Sequence, residues 1–312
     1  MCLQYQLMKT LRDERLRAAA RDHLAAEARR ARKAVRDHAA ARGVTAGADE
    51  MAGVQLAGMK EQVPALRMIG LHKAFRETVA VDHVDLTVPS GSFFGLVGPN
   101  GAGKTTALLM AVGLLRPDAG RSEVLGVDVQ ADPMRARQLM GVLPDGLAMP
   151  GRLTGRELLT LIGEMRGLDP DVIAQRTRDL LEVMGLAGAE RTLIVNYSAG
   201  MRKKISLATA LLHAPRLLVL DEPFEAVDAV WAATLRAILT GFVANGGSVV
   251  LSSHVMALVE QLCDTVAIMA LGVVAAAGPL DEVRDGRSLE ETFMRLAGAE
   301  VSDAQGLSWL SP

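Results

Sequence analysis

A glycine-rich run at residues 98–106, GPNGAGKTT, restricts this chain to few folds. It follows the apolar segment Phe93–Val97 and precedes a helix-forming stretch, which is the setting that the pattern G-x-x-x-x-G-K-[ST] requires. Glycines permit a tight turn with inward-pointing N–H groups, and the helix N-terminus adds partial positive charge. The run therefore predicts a phosphate-binding loop. The residues expected to contact a bound nucleotide there are Gly98, Asn100, Gly101, Gly103, Lys104, Thr105 and Thr106.

A second motif places two acids directly after an apolar strand. The segment Leu217–Leu220 is followed by Asp221 and Glu222, and functional side chains collect at the carboxyl ends of buried parallel strands. Beside a phosphate loop, Asp221 is expected to hold Mg²⁺ together with the Thr105 hydroxyl. Glu222 is expected to orient and deprotonate an attacking water molecule, while Lys104 supplies positive charge to the β- and γ-phosphates.

From residue 65 onward, short apolar segments alternate with helical ones, as in an α/β domain with a largely parallel sheet. The predicted strands are Ala65–Leu71, Val79–Val88, Ser92–Val97, Gly141–Leu143, Leu217–Leu220, Ser248–Ser252, Thr265–Met269 and Gly272–Ala276. The predicted helices are Gly103–Leu115, Pro133–Met140, Arg156–Arg166, Pro170–Met184, Met201–His213, Val230–Val243 and Val255–Leu262. Helical patterns without intervening strands, over about 150–200, indicate a helical insertion.

The chain divides by composition into three parts. Residues 1–60 form an Ala/Arg-rich arm and linker, with a helix predicted at Met8–Ala41; residues 1–45 hold 11 Lys/Arg against five Asp/Glu. Three interpretations of this arm stay open. It is a solvated or partly disordered appendage, or it is not translated because the true start is Met51 or Met59, or it contacts a membrane surface or nucleic acid. A nucleotide-binding domain is expected over 61–287, and a short helix, Leu289–Ala297, with a tail over 288–312.

Composition argues against several classes of protein. A formal net charge of −2 and 3% aromatic residues do not suit a nucleic-acid-coating surface. Two distant cysteines, Cys2 and Cys263, do not make a disulfide framework and favour a reducing compartment. The weakly polar run Val266–Leu280 is shorter than the ~20 residues of a spanning helix, so it is predicted to be two buried strands joined by a tight turn.

The segments around these motifs resemble those of ABC ATPases. Residues Asn196–Met201 resemble the family's signature motif, Glu225–Asp228 its D-loop, His254 its switch histidine and Phe75 its adenine-stacking aromatic. The resemblance covers roughly residues 65–285, in the family's order and spacing. It implies a P-loop NTPase core of the ABC ATPase type, with an antiparallel β part and an inserted α-helical subdomain.

The resemblance also implies a mechanism and partners. Ser198 and Gly200 would contact the γ-phosphate bound by a second ABC ATPase subunit, whereas His254 would contact the γ-phosphate in its own subunit. The chain is thus expected to be an ATPase that uses Mg-ATP, pairs with a like or related subunit and drives a separate integral membrane permease from the cytoplasmic face. It resembles the ATPase components of bacterial multidrug or export systems, and no nucleic-acid partner is expected. A regulatory or a non-transport ABC ATPase is the alternative.

Three motifs depart from the family pattern. Asp145 stands where the family has a glutamine, and we expect it to take part in metal sensing. Ala199 and Met201 replace a glycine and a glutamine of the signature, although Ser198 and Gly200 are kept. The D-loop region reads Phe-Glu-Ala-Val at 224–227, with Asp228 kept.

Overall fold

The computed structural model describes residues 63–146, 149–225 and 227–297. The predicted arm at 1–60, with its helix at Met8–Ala41, and the tail beyond residue 297 lie outside these ranges. The strands are β1 (Leu66–Phe75), β2 (Thr78–Val88), β3 (Phe93–Val97), β4 (Ala119–Val124), β5 (Val127–Asp128), β6 (Met140–Leu143), β7 (Leu217–Leu220), β8 (Ser248–Ser253), β9 (Thr265–Ala270) and β10 (Val273–Pro279). The helices are α1 (Lys104–Ala111), α2 (Pro133–Leu139), α3 (Gly155–Met165), α4 (Pro170–Val183), α5 (Ala199–Leu211), α6 (Ala229–Ala244), α7 (Met256–Leu262), α8 (Leu280–Arg284) and α9 (Leu289–Ala297). Within the described ranges, none of the helices has both the length and the apolar character needed to cross a membrane.

A six-stranded sheet in the order β10–β9–β3–β8–β7–β6 forms the centre of the fold. Every pairing from β9 to β6 is parallel, and only β10 at one edge runs antiparallel to its neighbour. Strands β3, β7 and β8 are buried at every position, which explains why they read as continuous apolar runs. Their carboxyl ends lie along one edge of the sheet, so the loops that follow them are brought together.

A second, antiparallel sheet has the order β2–β1–β4–β5. Sequence patterns missed β4 and β5, because Ala119–Val124 reads AGRSEV and three of its residues are exposed. Its pairing with β1 decides its conformation, as tertiary packing often overrides weak local preference. The presence of this sheet confirms the antiparallel part expected of the fold.

Helices α3 and α4 lie between β6 and β7 in the chain and make up the inserted helical part. Thr154 caps α3 through a reciprocal pair of hydrogen bonds with Glu157, and Asp169 caps α4 ahead of Pro170. The two helices pack closely at Gly163, where a Cβ atom would lie 2.7 Å from the side chain of Ile173. The fold is therefore the α/β class predicted, with its antiparallel sheet and helical insertion.

Strand β6 packs tightly against α5. A Cβ atom at Gly141 would lie 2.1 Å from the backbone oxygen of Ala210, so the helix can approach only a glycine there. His213, just beyond α5, donates from Nε2 to the backbone oxygen of Met140 at 3.0 Å. Burial lowers the pKa of His213 to about 4, and the nearby charge of Arg166 adds to the effect.

Three predicted ends and one predicted burial were wrong. Strand β1 continues past the predicted end at Leu71 to Phe75, because its pairing with β2 continues to that residue, and β10 continues past Ala276 to Pro279. Helix α1 ends at Ala111 rather than Leu115, because the chain turns at Gly113, where φ is +73°. Of the two strands predicted to be buried in the run from Val266, β9 is buried from Val266 to Ala270, whereas β10 is only partly buried. As an edge strand, β10 has a neighbour on one side only.

Candidate functional site

The glycine-rich loop connects β3 to α1 and is held by its neighbours through close backbone contacts. A Cβ atom at Gly98 would lie 2.1 Å from the backbone oxygen of Met269, and one at Gly103 would lie 2.3 Å from that of Ala80. Gly103 also has φ of +100°, a conformation that disfavours any residue with a side chain. The N–H of Gly272 donates to the oxygen of Ala102 at 2.9 Å. Gly98 and Gly103 are thus required by packing, whereas Gly101, with φ of +80° and open space around it, is required by the turn alone.

Lys104 begins α1 and points into the loop that precedes it. Its side chain is 6% exposed, and its Nζ donates to the backbone oxygens of Gly98 at 2.8 Å and Pro99 at 3.3 Å. The same Nζ lies 3.5 Å from Oε1 of Glu222. The ammonium group therefore joins the phosphate loop to the acidic end of β7.

Asp221 follows β7 directly and is 4% exposed. Its Oδ1 accepts a hydrogen bond from the hydroxyl of Ser252, but no donor among the described residues reaches its buried Oδ2. A buried carboxylate oxygen without a partner costs free energy unless a cation or water binds it. This oxygen fits a hard divalent cation such as Mg²⁺. Thr105 is exposed in the first turn of α1.

Glu222 has an unusual backbone conformation that aims its side chain at two other groups. Its φ is +45°, which is rare for a residue with a side chain and typical of functional sites. Its N–H donates to Oγ of Ser252 at 2.9 Å. Its Oε2 lies 3.1 Å from Nδ1 of His254, which follows β8, while its Oε1 faces Lys104. The segments that follow β3, β7 and β8 thus bring Lys104 and His254 to the two carboxylate oxygens of Glu222.

Two residues of this site were not singled out from the sequence. Ser252 is fully buried and bonds to both of the acidic residues that follow β7. The sequence signal was a pair of serines, Ser252 and Ser253, at the carboxyl end of β8. Lys203, in α5, donates from Nζ to the backbone oxygens of Glu222 at 2.6 Å and Glu225 at 2.8 Å. Burial lowers the pKa of Lys203, and the carboxylate of Asp145 is the largest of the charges that oppose this. Nothing in the local sequence marks that lysine.

The two signature residues, Ser198 and Gly200, make no contact with this group among the described residues. Ser198 is exposed and caps α5 by accepting from the N–H of Met201 at 3.2 Å. Gly200 follows it in the first turn, and among the described residues neither bonds to Lys104, Glu222 or His254. Asp145 is exposed in the turn after β6.

Phe75 ends β1 with its side chain mostly outside the core. It is 49% exposed, and Nζ of Lys73 lies 5.7 Å from the centre of its ring. An exposed aromatic ring of this kind is free to stack against a planar ligand. Asn100, Gly101 and Thr106 lie in or beside the glycine-rich loop, as the motif predicts.

Known proteins resemble this chain over most of its described length. The ABC transporter family profile matches residues 81–225. The daunorubicin/doxorubicin resistance ATP-binding protein of Streptomyces peucetius is 35% identical over 241 residues, which are 77% of this chain and 72% of the relative. The Nod factor export ATP-binding protein I of Rhizobium sp. (strain N33) is 35% identical over 69% of this chain and 70% of its own length. A solved ATP-binding subunit of an ABC transporter matches with a TM-score of 0.70 and 29% identity, over 74% of this chain and 99% of its own.

Proposed function

Because this chain belongs to the ABC transporter family and is an ATP-hydrolysing subunit of the export type, we propose that it pairs with a second ATPase subunit around two Mg-ATP and drives a separate membrane permease. The named relatives include drug-resistance and Nod factor export proteins, which supports export as the direction of transport. The proposed position is the cytoplasmic face of the membrane, through contact with the permease.

The observation that carries the proposal is the contact of Glu222 with both Lys104 and His254. Glu222 directs its two carboxylate oxygens at different groups, Oε1 towards Lys104 and Oε2 towards His254. In the proposed reaction it orients and deprotonates the attacking water. Lys104 and His254 stabilise the charge that develops on the γ-phosphate, and fixed donors of this kind contribute strongly to such catalysis.

Asp221 and Thr105 are the residues that would hold Mg²⁺. When bound, the ion would neutralise charge on the phosphate oxygens. The bond from Ser252 holds one oxygen of Asp221 in place and leaves the other for the cation. Asp145 is proposed to sense this ion from the turn after β6, with Lys203 moderating the repulsion between its carboxylate and the phosphates.

The proposed pairing rests on the exposure of the signature segment. Ser198 presents its side chain at the N-terminus of α5, away from the contacts of its own Lys104, Glu222 and His254. In a head-to-tail pair, Ser198 and Gly200 would contact the γ-phosphate bound by the other subunit, and the helix N-terminus would favour its negative charge. Phe75 would stack on the adenine in its own subunit.

Steady-state ATP hydrolysis of the purified chain with Mg²⁺ tests this proposal. We expect Glu222→Gln to lower the rate constant by about 10²–10⁴-fold, the usual contribution of a general base, while ATP now stabilises a dimer in light scattering. Glu164→Gln, at an exposed position of α3, is the matched control and should retain the native rate. A chain that binds ATP but hydrolyses none, with or without its permease, would instead be a regulatory subunit.

A further inference from the structure

A cluster of two histidines and an aspartate lies on the antiparallel sheet, outside the site just described. His72 belongs to β1, and Asp82 and His83 to β2. Leu71 pairs with Val84 and Lys73 with Val81, so two residues of β2 face one of β1. This extra residue is a β-bulge, a feature that redirects side chains and is common beside functional sites.

The bulge turns both histidines towards one carboxylate. His83 has φ of +48°, so its side chain leaves the usual alternation of the strand. Nδ1 of His83 lies 3.0 Å, and Nδ1 of His72 lies 3.4 Å, from the same Oδ1 of Asp82. The two imidazole rings lie side by side, with their centres 4.6 Å apart.

We propose that His72, Asp82 and His83 bind a borderline divalent transition-metal ion such as Zn²⁺. Bonds of about 2.0–2.1 Å to a tetrahedral Zn²⁺ place neighbouring ligand atoms about 3.3 Å apart. The two nitrogen–oxygen separations bracket that value, and all three ligand atoms lie within 4.8 Å of one another. Small side-chain shifts would complete the three-ligand set, and water would occupy a fourth position beside His83, which is 67% exposed.

The surroundings also favour a cation at this point. Nδ1 of His72 is buried, and its 3.4 Å contact with Asp82 lacks hydrogen-bond geometry, so the nitrogen has no hydrogen-bond partner among the described residues. The backbone of Asp82 is anchored by its N–H, which donates to the oxygen of Gly272 at 2.8 Å. The backbone of His72 is anchored as well, since its oxygen accepts from the N–H of Asp118 at 2.9 Å. The carboxylate of Asp118 pairs with Nζ of Lys73 at 2.6 Å, so these two charges offset each other and Asp82 supplies the negative charge of the cluster.

The chemistry of the ligands separates this ion from the Mg²⁺ proposed at Asp221. Imidazole nitrogens suit zinc, cobalt, nickel and copper, whereas Mg²⁺ takes oxygen ligands. An excess of Mg²⁺ should therefore occupy the nucleotide site without displacing an ion held by His72 and His83. This difference lets the histidine cluster be tested in the full chain without nucleotide.

Titration of the full chain with Co²⁺, in excess Mg²⁺ and without ATP, tests the proposal. We expect one equivalent of Co²⁺ to give the visible absorption of a tetrahedral site and Zn²⁺ to displace it. His83→Asn, which tolerates a positive φ, and His72→Gln should each weaken binding at least 10-fold without changing the far-ultraviolet circular dichroism of the metal-free chain. The matched control is the double variant His23→Gln/His38→Gln, which removes the two histidines of residues 1–62. It should bind Co²⁺ as the native chain does.

Three outcomes would overturn the proposal. One is the absence of stoichiometric Co²⁺ or Zn²⁺ binding, which would leave the cluster as a hydrogen-bonded support for the bulge. Another is unchanged binding in both His83→Asn and His72→Gln. The third is loss of binding in the His23/His38 control, which would assign the ion to the N-terminal arm.

Discussion

Replacing Ser252 by alanine should lower both the stability of the fold and the rate of ATP hydrolysis. Its one hydroxyl group bonds to each of the two acidic residues that follow β7. The hydroxyl donates to Oδ1 of Asp221 and accepts from the N–H of Glu222 at 2.9 Å. Ser252 is fully buried, so water cannot easily replace it. Ser252→Ala therefore leaves a charged acceptor and a backbone donor without partners.

The size of the effect follows from these two bonds. A hydrogen bond to a charged group contributes about 1.5–3 kcal/mol and a neutral one about 0.5–1.5 kcal/mol. We expect Ser252→Ala to lower the free energy of unfolding by about 2–4 kcal/mol, a large share of the 5–15 kcal/mol typical of a folded protein. Glu222 also loses the anchor of its strained backbone, so the rate constant of ATP hydrolysis should fall as well.

Urea unfolding followed by circular dichroism measures this difference, with ATP hydrolysis measured in parallel. Ser253→Ala is the control, since Ser253 is also buried but bonds only locally, accepting from the N–H of Val255 at 3.0 Å. Its hydroxyl also donates a long bond of 3.5 Å to the backbone oxygen of Val255. Because both of its bonds are neutral and local, Ser253→Ala should lower the free energy of unfolding by less than about 1.5 kcal/mol. Equal destabilisation by Ser252→Ala and Ser253→Ala would refute the reasoning.

Other perturbations test other parts of the structure. In urea unfolding, Gly141→Ala should lower the free energy of unfolding by about 2–4 kcal/mol, because the added methyl group meets a backbone oxygen. Gly241 lies in α6 with open space around it, so Gly241→Ala should raise the free energy of unfolding by about 0.5–1 kcal/mol. The pKa of His213 is about 4 in the folded chain and about 6.5 in the unfolded chain. The free energy of unfolding should therefore decrease as the pH is lowered from 6.5 to 4, and His213→Gln should make this decrease smaller. Lys203→Met should lower the ATPase rate constant at least 10-fold with little change in KM, and Lys203→Arg should restore part of it; equal losses in both variants would argue against positioning by charge.

The sequence predicted those parts of the site that depend on residue type, but not those that depend on packing. The loop from Gly98 and the acids after β7 need particular residues at particular spacings, so their patterns were readable. The contact between Glu222 and His254 joins residues 32 positions apart, and it exists only because β7 and β8 are neighbours in the sheet. Lys203 looks like any helix-surface lysine until α5 is placed beside the turn after β7.

The same distinction explains the errors in the fold. The alternation of apolar and helical segments was sufficient to predict the strands at the centre of the parallel sheet, since β3, β7 and β8 are buried at every position. Strand β4 was missed because its exposed polar residues carry no apolar pattern, and its conformation comes from pairing with β1. Helix α1 was predicted too long because its apolar run continues past the turn at Gly113.

The burial of β3 on both sides has a consequence for hydrogen exchange. Its amides bond to parallel neighbours β8 and β9, so they should exchange only on global unfolding and should be slow even without nucleotide. The loop that follows β3 has few such bonds, and its amides should exchange quickly until phosphate binds them. Nucleotide binding should therefore appear as new protection that begins abruptly at Gly98, with no change in the strand before it.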